Sequence, residues 1–320
     1  MPIAVPDYKA PSWCPGGHLQ TVIPAKFMPR PAIEYRREKV ELPDGDFMLW
    51  DWAVPEPADP LAPVLVHFHG LEGSSRSHYA EALMAACTER GWRGVVAHFR
   101  SGGGEMNRLP RAYFAGDSDD CEWVLRTVHE RFPNAELRAV GVSLGGNQLA
   151  KYLGDRGTDA GFLTAAVSVG APLDLVAGSK GVNTFYADMF LHTLRQKLEL
   201  KAKQFPDVIR EEDVKACRTM FDFDNTYTGP IHGFRSAMEY WQKCSAKTVL
   251  PDVRVPLLLL NAKNDPFLPP WCLPTADEMS AFVTGDFPEE GGHIGFPQGR
   301  APGNINYLPQ RIMRFFDTGS

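Results

Sequence analysis

The alternation of short apolar runs with segments of helical periodicity is the feature that most constrains the fold of this chain. The runs suit strands buried on both faces of a parallel sheet, and they are "PVLVHFHG" (63–70), "GVVAHF" (94–99), "LRAVGV" (137–142), "FLTAAVSVG" (162–170) and "VPLLLLNA" (255–262). Helical stretches separate them, including one that opens at Asp117, a predicted N-cap. This alternation is typical of βαβ units, so the sequence predicts an α/β fold with a mostly parallel central sheet flanked by helices.

Two parts of the chain depart from this alternation. Residues 1–34 are rich in Pro and Gly and predict an irregular N-terminal arm, after which Asp44-Gly45 between alternating apolar residues predicts a hairpin. The alternation stops at Pro172 and returns after residue 250 with "VPLLLLNA", a short helix, "MSAFVTGD" and a closing helix near 305–317. We therefore divide the chain into the arm 1–34, a core made of 35–171 and 251–320, and an insertion at 172–250.

The insertion shows the periodicity of helices. Apolar residues recur at helix spacing along one of its segments: Phe185, Met189, Phe190, Leu194 and Leu198. Because the insertion lies between two strands of the sheet, we expect it to cover the strand ends as a helical lid. The apolar stripe either packs against the core or forms a wall of an acyl pocket.

Composition excludes several classes of function. The formal net charge of −6 gives no basic face for nucleic acid. The six cysteines show no CxxC pattern or paired spacing, which argues against a disulfide framework and against zinc, and favours a reducing cytoplasm. We find no signal-peptide pattern at the N-terminus and no apolar run as long as a membrane span. The sequence therefore predicts a cytoplasmic protein without a transmembrane anchor.

Ser143 is the candidate nucleophile. It stands in the pattern Gly141-Val142-Ser143-Leu144-Gly145, between the apolar strand "LRAV" and a helix with Leu149 and Leu153 on one face. This strand–turn–helix setting is the one that a nucleophile elbow requires. Glycines flank the serine at two positions because the turn is so sharp that side chains there would collide, and the turn places the serine hydroxyl above a helix N-terminus.

A nucleophilic serine needs a base and an orienting acid, which α/β-hydrolases carry in the chain order Ser, Asp/Glu, His. Asp265 follows the buried strand "VPLLLLNA", and His293 follows the final strand, 28 residues later (293 − 265). In this hypothesis His293 takes the proton of Ser143, while Asp265 fixes the tautomer of the imidazole. Asp174, which follows the strand after Ser143, is an alternative acid.

The other histidines are weaker candidates for the base. His67, His69 and His98 lie in or at the end of early strands, where we expect them to be structural. His67 and His69 share one strand face and resemble a metal-binding pair, but no third and fourth ligand follow at a suitable spacing. A metal site is therefore not predicted. The remaining histidines precede the last strand or fall in the insertion: His18, His78, His129, His192 and His232.

An oxyanion hole needs two backbone N–H donors. One is expected from Leu144, the residue after the nucleophile. The other is expected from Leu71, in the loop "HGLEGSS" (69–75) that follows the first buried parallel strand. In the alternative interpretation, this loop is a glycine-rich turn without a ligand.

With these residues assigned, the sequence resembles the α/β-hydrolase superfamily, and within it the YheT-like branch, which includes ABHD-type lipid esterases and yeast medium-chain ester synthases. The resemblance covers nearly the whole chain through motifs in the expected order: "GGHLQT" (16–21), "HGLEGSSRSHY" (69–79), "VVAHFRSGGGEMNR" (95–108), "AGDSDD" (115–120), "GVSLGGNQLAKYLG" (141–154), "NAKNDPF" (261–267) and "GGHIGF" (291–296). For "GGHLQT" the residues themselves suggest no physical role.

The resemblance implies an α/β-hydrolase fold and the hydrolysis or transfer of acyl groups from carboxylic esters, of short to medium chain length and without a cofactor. Small-molecule or lipid-derived esters are the implied substrates. The chain departs from the family pattern at three places, which affect only the expected substrate preference. Arg100-Ser101-Gly102-Gly103-Gly104 stands in place of Arg-Gly-Cys-Ser-Gly, and Tyr-Thr-Gly stands in place of Thr-Ala-Pro within "FDFDNTYTGPIHGF" (221–234). Asn264 occupies a position where the family has an acidic residue.

The sequence therefore predicts a serine carboxylesterase. Two alternatives remain open. An acyltransferase would use the same acyl-enzyme with an alcohol in place of water, and a non-catalytic binding module would keep the scaffold without turnover. Oligomeric state is not predicted.

Overall fold

One mixed sheet forms the centre of the protein. The computed structural model describes residues 3–4, 7–181 and 184–319, apart from the side chains at 180–185. The strands within this part of the chain are β1 (Glu34–Glu41), β2 (Phe47–Val54), β3 (Val64–Phe68), β4 (Arg93–Ala97), β5 (Leu137–Val142), β6 (Ala165–Val169), β7 (Leu257–Leu260) and β8 (Val283–Asp286). Their order is β1-β2-β4-β3-β5-β6-β7-β8, and β2 runs antiparallel to β1 and β4 while the other pairs are parallel. This confirms the predicted α/β architecture.

Helices cover both faces of the sheet and also form the insertion. They are α1 (Gly17–Lys26), α2 (His78–Glu89), α3 (Ser118–Arg131), α4 (Leu144–Arg156), α5 (Leu175–Gly181), α6 (Thr184–Gln204), α7 (Glu211–Ala216), α8 (Met220–Phe223), α9 (Gly229–Ile231), α10 (Ala237–Cys244) and α11 (Tyr307–Thr318). On one face α3 and α4 pack Leu125 and Leu149 against the sheet, and on the other α2 and α11 pack Met84 and Phe315. All five residues of β3 are buried, as predicted for a strand with helices on both sides.

The predicted hairpin is confirmed. Gly45 has a φ of 84°, and its N–H donates to the carbonyl of Leu42 at 3.0 Å, which closes the turn between β1 and β2. A positive φ is accessible to glycine at little cost, which explains the residue at this position.

The prediction that the arm is irregular throughout was wrong, because residues 17–26 form α1. The buried residues of this helix are Gln20, Thr21 and Pro24, none of which belongs to a hydrophobic stripe. Its start at Gly16-Gly17 and the proline inside it also argue against a helix. Tertiary contacts of the polar face, described below, hold α1 in place.

The insertion at 172–250 is helical, with a π-helical turn at Asp224–Thr228 between α8 and α9. Leu194 and Leu198 of α6 pack into an apolar cluster of the insertion itself, together with Val214 and Phe223. Met189 is exposed, and the side chain of Phe185 lies outside the described residues. The apolar stripe of α6 therefore packs mainly within the insertion and not against the sheet.

The short helix predicted between β7 and β8 is replaced by two 3-10 turns, Pro270–Cys272 and Ala276–Glu278. Pro269, Pro270 and Pro274 remove backbone donors here, so an α-helix cannot form.

A buried cluster of charges fixes the β1–β2 turn to the core. Arg100 is 2% exposed, and its guanidinium pairs with Asp120 at 2.6 Å and with Asp46 at 2.9 Å. Asp46 also accepts from the N–H of Arg108 at 2.7 Å. Burial favours a higher pKa for Asp46, but hydrogen bonds from Asn107, the Arg108 N–H and Arg100 hold the pKa below its ordinary value of 3.8.

We predict that Asp46→Ala lowers the free energy of unfolding by about 3 kcal/mol at pH 7, because it leaves buried donors without their acceptor. The loss is largest above pH 3.8, the ordinary pKa, and shrinks as the pH falls through the lower pKa of the folded state. Chemical denaturation at several pH values measures it. Glu105→Ala, which breaks an exposed pair with Lys39, is the control and is expected to cost about 1 kcal/mol or less. Equal losses for the two variants would contradict the prediction.

Candidate active site

Ser143 occupies a strained turn between β5 and α4. Its φ is 53° and its ψ is −120°, a combination that side chains rarely tolerate. A Cβ atom at Gly141 would overlap the carbonyl of Gly145, and one at Gly145 would lie 2.5 Å from the carbonyl oxygen of His69. Both glycines are therefore required by close backbone approach.

The structure brings the predicted base and acid to this serine. His293 Nε2 lies 3.0 Å from Ser143 Oγ, and His293 Nδ1 lies 2.7 Å from Asp265 Oδ2. The other carboxylate oxygen of Asp265 accepts from the N–H of Phe267 at 2.7 Å. The Phe267 ring stacks on the imidazole with a centroid distance of 4.1 Å. His293 and Asp265 are each 6% exposed, so the chain Ser143–His293–Asp265 is shielded from water along most of its length.

The loop that carries His293 is conformationally strained. Gly291 and Gly292 have φ values of 145° and 62°, and the two non-glycine residues Ile294 and Phe296 have φ values of 54° and 42°. A β-branched residue such as isoleucine adopts a positive φ only when its surroundings enforce it. External contacts therefore determine where His293 lies.

The predicted oxyanion donors flank Ser143. Leu144 is the first residue of α4, and the loop of Leu71 lies against Ser143, since a Cβ at Gly70 would be 3.1 Å from the serine Cβ. Within the described chain, neither N–H has a hydrogen-bond acceptor. Both are therefore available to a ligand oxygen.

Side chains hold the 69–75 loop on both sides of Leu71. The N–H of Gly70 donates to Tyr79 Oη at 3.0 Å, and the N–H of Glu72 donates to Tyr113 Oη at 3.2 Å. The carboxylate of Glu72 accepts from Tyr113 Oη at 2.9 Å and from Lys197 Nζ of α6 at 2.7 Å. Glu72 thus ties this loop to the insertion, a role that the sequence did not reveal.

The alternative candidates have other partners. The carboxylate of Asp174 accepts from the N–H of Ala177 at 2.9 Å, within the first turn of α5, and Asp265 is the carboxylate that faces His293. His67 bonds the carbonyl of Val140 at 3.1 Å, and His69 bonds the carbonyl of Gly70 at 2.7 Å. Burial lowers the pKa of His67 to about 3 and the pKa of His69 well below its ordinary value, so both are neutral structural groups.

No metal-binding arrangement occurs in the described part of the chain, where no three His, Cys, Asp or Glu side chains converge on one point. All six cysteines are free and buried.

An apolar cavity of about 220 Å³ opens beside the triad. Helix α6 forms one wall, and the residues after β4 and the helix α10 form others. The lining includes Ser143, Leu144, His293, Leu71, Phe190, Leu194, Leu198, Phe114, Tyr227 and Trp241. The stripe of α6 thus contributes a pocket wall as well as the core of the insertion.

One carboxylate lies in this apolar wall. Asp224, at the start of the π-helical turn, accepts from Trp241 Nε1 at 2.8 Å and from the hydroxyl of Thr228. Burial raises the pKa of Asp224 to about 6, because these neutral donors offset only part of the cost of removing a carboxylate from water.

Helix α1 contacts the loop of Asp265 and the loop of His293. Thr21 Oγ1 accepts from the N–H of His293 at 2.8 Å, and Gln20 Oε1 accepts from the side chain of Asn264 and the N–H of Gly291 at 2.8 Å each. In the sequence, Gln20 and Thr21 stood out only as part of the motif "GGHLQT" (16–21), for which the residues suggested no physical role.

Comparison with known proteins identifies the family of this chain. A family profile described as "alpha/beta hydrolase fold" matches residues 63–273. The chain is also 38% identical over 307 residues to YheT, an esterase-type protein of Escherichia coli (strain K12), with 94% of this chain and 90% of YheT covered. The chain belongs to the α/β-hydrolase family.

More distant matches agree. This α/β-hydrolase is 28% identical over 324 residues to the phospholipase ABHD3 of Homo sapiens, a match that covers 98% of this chain and 79% of ABHD3. An esterase structure from Pyrococcus furiosus superposes with a TM-score of 0.56 at 13% identity, over 91% of this chain and 96% of the esterase, and shows the shared fold. In the part of the hydrolase that the structure describes, no helix combines the length and the apolar character needed to cross a membrane.

We predict that Asp224→Asn removes a loss of stability that the wild type shows at high pH. The free energy of unfolding of the variant, taken relative to that of the wild type, is expected to rise by on the order of 2–3 kcal/mol from pH 4 to pH 7.5. The pKa of Asp224 is about 6 in the folded state and near its ordinary value of 3.8 in the unfolded chain. The wild type therefore loses stability as the pH rises through this window, and asparagine removes the loss while keeping an acceptor for Trp241. Chemical denaturation at the two pH values measures the difference.

The matched control is Asp222→Asn in the neighbouring α8. Backbone hydrogen bonds from Arg218 and Thr219, with the Thr219 side chain, hold the pKa of Asp222 below its ordinary value, in spite of slight burial. This variant is expected to change stability in the opposite direction, with a loss that is greater at pH 7.5 than at pH 4. Stability changes of the same sign for both variants would contradict the raised pKa of Asp224 and the lowered pKa of Asp222.

Proposed function

We propose that this carboxylic ester hydrolase works through an acyl-enzyme on Ser143. The observation that carries the proposal is the unbroken chain from Ser143 Oγ to His293 at 3.0 Å and on to Asp265 at 2.7 Å, placed at the mouth of an apolar cavity. A serine used only for structure would not need a base and an acid aligned behind it. The names of the relatives YheT and ABHD3, which describe an esterase and a phospholipase, support the same class of reaction.

In the first half of the reaction, Ser143 Oγ attacks the ester carbonyl carbon while His293 Nε2 takes the hydroxyl proton. The oxygen of the tetrahedral intermediate accepts hydrogen bonds from the N–H groups of Leu71 and Leu144, each worth on the order of 3 kcal/mol of barrier. The bond to the alcohol oxygen then breaks, and His293 gives its proton to the leaving alcohol. Asp265 keeps the Nδ1–H tautomer and stabilises the imidazolium.

In the second half, water attacks the acyl-enzyme and His293 accepts the proton of that water. The second tetrahedral intermediate collapses with release of the carboxylic acid, and the proton returns to Ser143 Oγ. The buried position of His293 and Asp265 strengthens their interaction because little water competes for it.

The size of the cavity supports a proposed acyl group of short to medium length. An engineered cavity of about 150 Å³ holds benzene, so 220 Å³ accommodates a somewhat larger apolar group. Phe190 packs against Phe267 beside His293, and Leu198 lines the same cavity eight residues further along α6, about 12 Å away at 1.5 Å per residue. The acyl chain would run along this helix. Small-molecule or lipid-derived esters are the proposed substrates.

Purified protein treated with a fluorescent fluorophosphonate is expected to be labelled, and labelling is expected to disappear in Ser143→Ala and in His293→Ala. Turnover of p-nitrophenyl esters, from acetate to palmitate, is expected to fall by about 10³-fold or more in the same variants, since the triad acts as a unit. His192→Ala, on an exposed part of α6, is the control and keeps both activities. Product analysis with added ethanol distinguishes hydrolysis from acyl transfer. A folded wild type without labelling or turnover would leave the binding module as the remaining alternative.

The position of the acyl chain predicts the effect of blocking the cavity. Leu198→Trp fills the far part of the wall, so we expect the optimum of the ester panel to move to shorter chains, while kcat/KM for the acetate ester stays within about threefold. Leu200→Trp places the same side chain on the exposed side of α6 and is expected to leave the optimum unchanged. An unchanged optimum in Leu198→Trp would place the acyl chain elsewhere.

A further inference from the structure

Helix α1 carries no group that reacts, yet it lies between the two loops that supply the acid and the base. Gln20 is fully buried and Thr21 is 8% exposed. Neither lines the cavity within the described residues. These buried side chains therefore belong neither to the apolar clusters of the core nor to the lining of the cavity.

Gln20 connects the two loops through every polar position of its amide. Its Oε1 accepts from the Asn264 side chain and from the N–H of Gly291, and its Nε2 donates to the carbonyl of Cys14 at 3.0 Å and to Glu290 at 3.2 Å. Donors meet acceptors at all four contacts, which fixes the orientation of the amide. A fully satisfied buried network of this kind rigidifies the groups it joins.

Thr21 acts directly on the residue that carries the base. Its hydroxyl donates to the carbonyl of Gly17 at 2.7 Å, so a lone pair is left to accept from the N–H of His293 at 2.8 Å. A second bond joins the loops themselves, because Asn264 Oδ1 accepts from the N–H of Gly292 at 3.0 Å. The backbone of His293 is thus held from α1 while its ring is held by Asp265.

The backbones also meet without side chains between them. A Cβ atom at Gly17 would overlap the carbonyl of Asn264, and one at Gly295 would overlap the carbonyl of Gln20. A Cβ at Gly292 would lie 2.7 Å from the carbonyl oxygen of Gly17. Glycine at these three positions lets α1 approach both loops at backbone contact distance.

We infer that α1 is the positioning element of the active site, in which Thr21 and Gln20 set the placement of His293 relative to Ser143 and Asp265. The inference rests on the proposed function and assigns a role to the segment 16–21. The strained loop around His293 has no regular secondary structure to hold it. Displacement of a catalytic group by about 1 Å costs up to about 100-fold in rate.

The deciding variant is Thr21→Val, which keeps the shape of the side chain and removes the acceptor for the N–H of His293. We expect kcat for p-nitrophenyl esters and the rate of fluorophosphonate labelling to fall by about tenfold or more. KM is expected to stay within about twofold, because Thr21 does not line the cavity. Thr21→Ser restores the hydroxyl and is expected to recover kcat to within about threefold of the wild type. Leu19→Ala, an exposed residue of the same helix, is the matched control and is expected to behave as the wild type.

A spectroscopic readout separates positioning from stability. The His293 Nδ1 proton shared with Asp265 is expected to give a downfield proton resonance in the wild type and in Thr21→Ser, and to shift or broaden in Thr21→Val. Thermal denaturation of each variant shows whether it is folded at the assay temperature. Should Thr21→Val fail to fold, Asn264→Ala replaces it, since it removes the donor to Gln20 Oε1 of α1 together with the acceptor for the N–H of Gly292, and is expected to show the same fall in kcat at constant KM.

The outcomes are distinguishable. A folded wild type that neither labels nor turns over esters contradicts the proposed function itself. An active wild type with a folded Thr21→Val of equal kcat and unchanged proton resonance overturns the positioning role alone. Loss of activity that tracks thermal stability, without recovery in Thr21→Ser, also overturns it. When Asn264→Ala is the deciding variant, wild-type kcat in that variant has the same meaning.

Discussion

The backbone conformation of Ser143 places the strongest demand on the rest of the fold. A residue held at this positive φ costs on the order of 1–3 kcal/mol, which surrounding contacts must offset. The N–H of Ser143 donates to the carbonyl of Val169 in β6 at 2.8 Å, and its carbonyl accepts from the N–H of Asn147 at 3.1 Å. Asn147, fully buried, donates to the carbonyls of Ala115 and Cys244 and accepts from the N–H of Ala246. The turn is therefore held by the sheet on one side and by the end of the insertion on the other.

Elements with a clear hydrophobic period could be predicted from the sequence. β3, β5 and β7 are buried on both faces, so their apolar character is continuous, and the polar residues that follow β5 and β7 mark the carboxyl edge of the sheet. The positions of Ser143 and Asp265 could be predicted for this reason, and that of His293 from its place after the final strand, β8. Their distances could not, since they depend on how loops far apart in the chain pack together.

The parts that could not be predicted are those stabilised by polar or backbone contacts. α1 buries Gln20 and Thr21 instead of leucines, so periodicity gives no sign of it. Glu72 and Lys197 meet only after the insertion has folded over the core. Asn264, a departure from the acid expected by resemblance, has a physical explanation in the structure: its amide donates to Gln20 and accepts from Gly292, and an ionised carboxylate has no proton to donate.

The contact between Thr21 and His293 has a consequence for how the protein comes into being. These residues are separated by 272 positions in the chain. Ribosomes add about 5–20 residues per second, so the helix that receives His293 waits roughly 15–55 s before its partner has been synthesised. The contacts that hold the turn of Ser143 all come from residues that precede His293, so this turn can form in that interval. The proposed site is therefore complete only when the loop of His293 packs against α1.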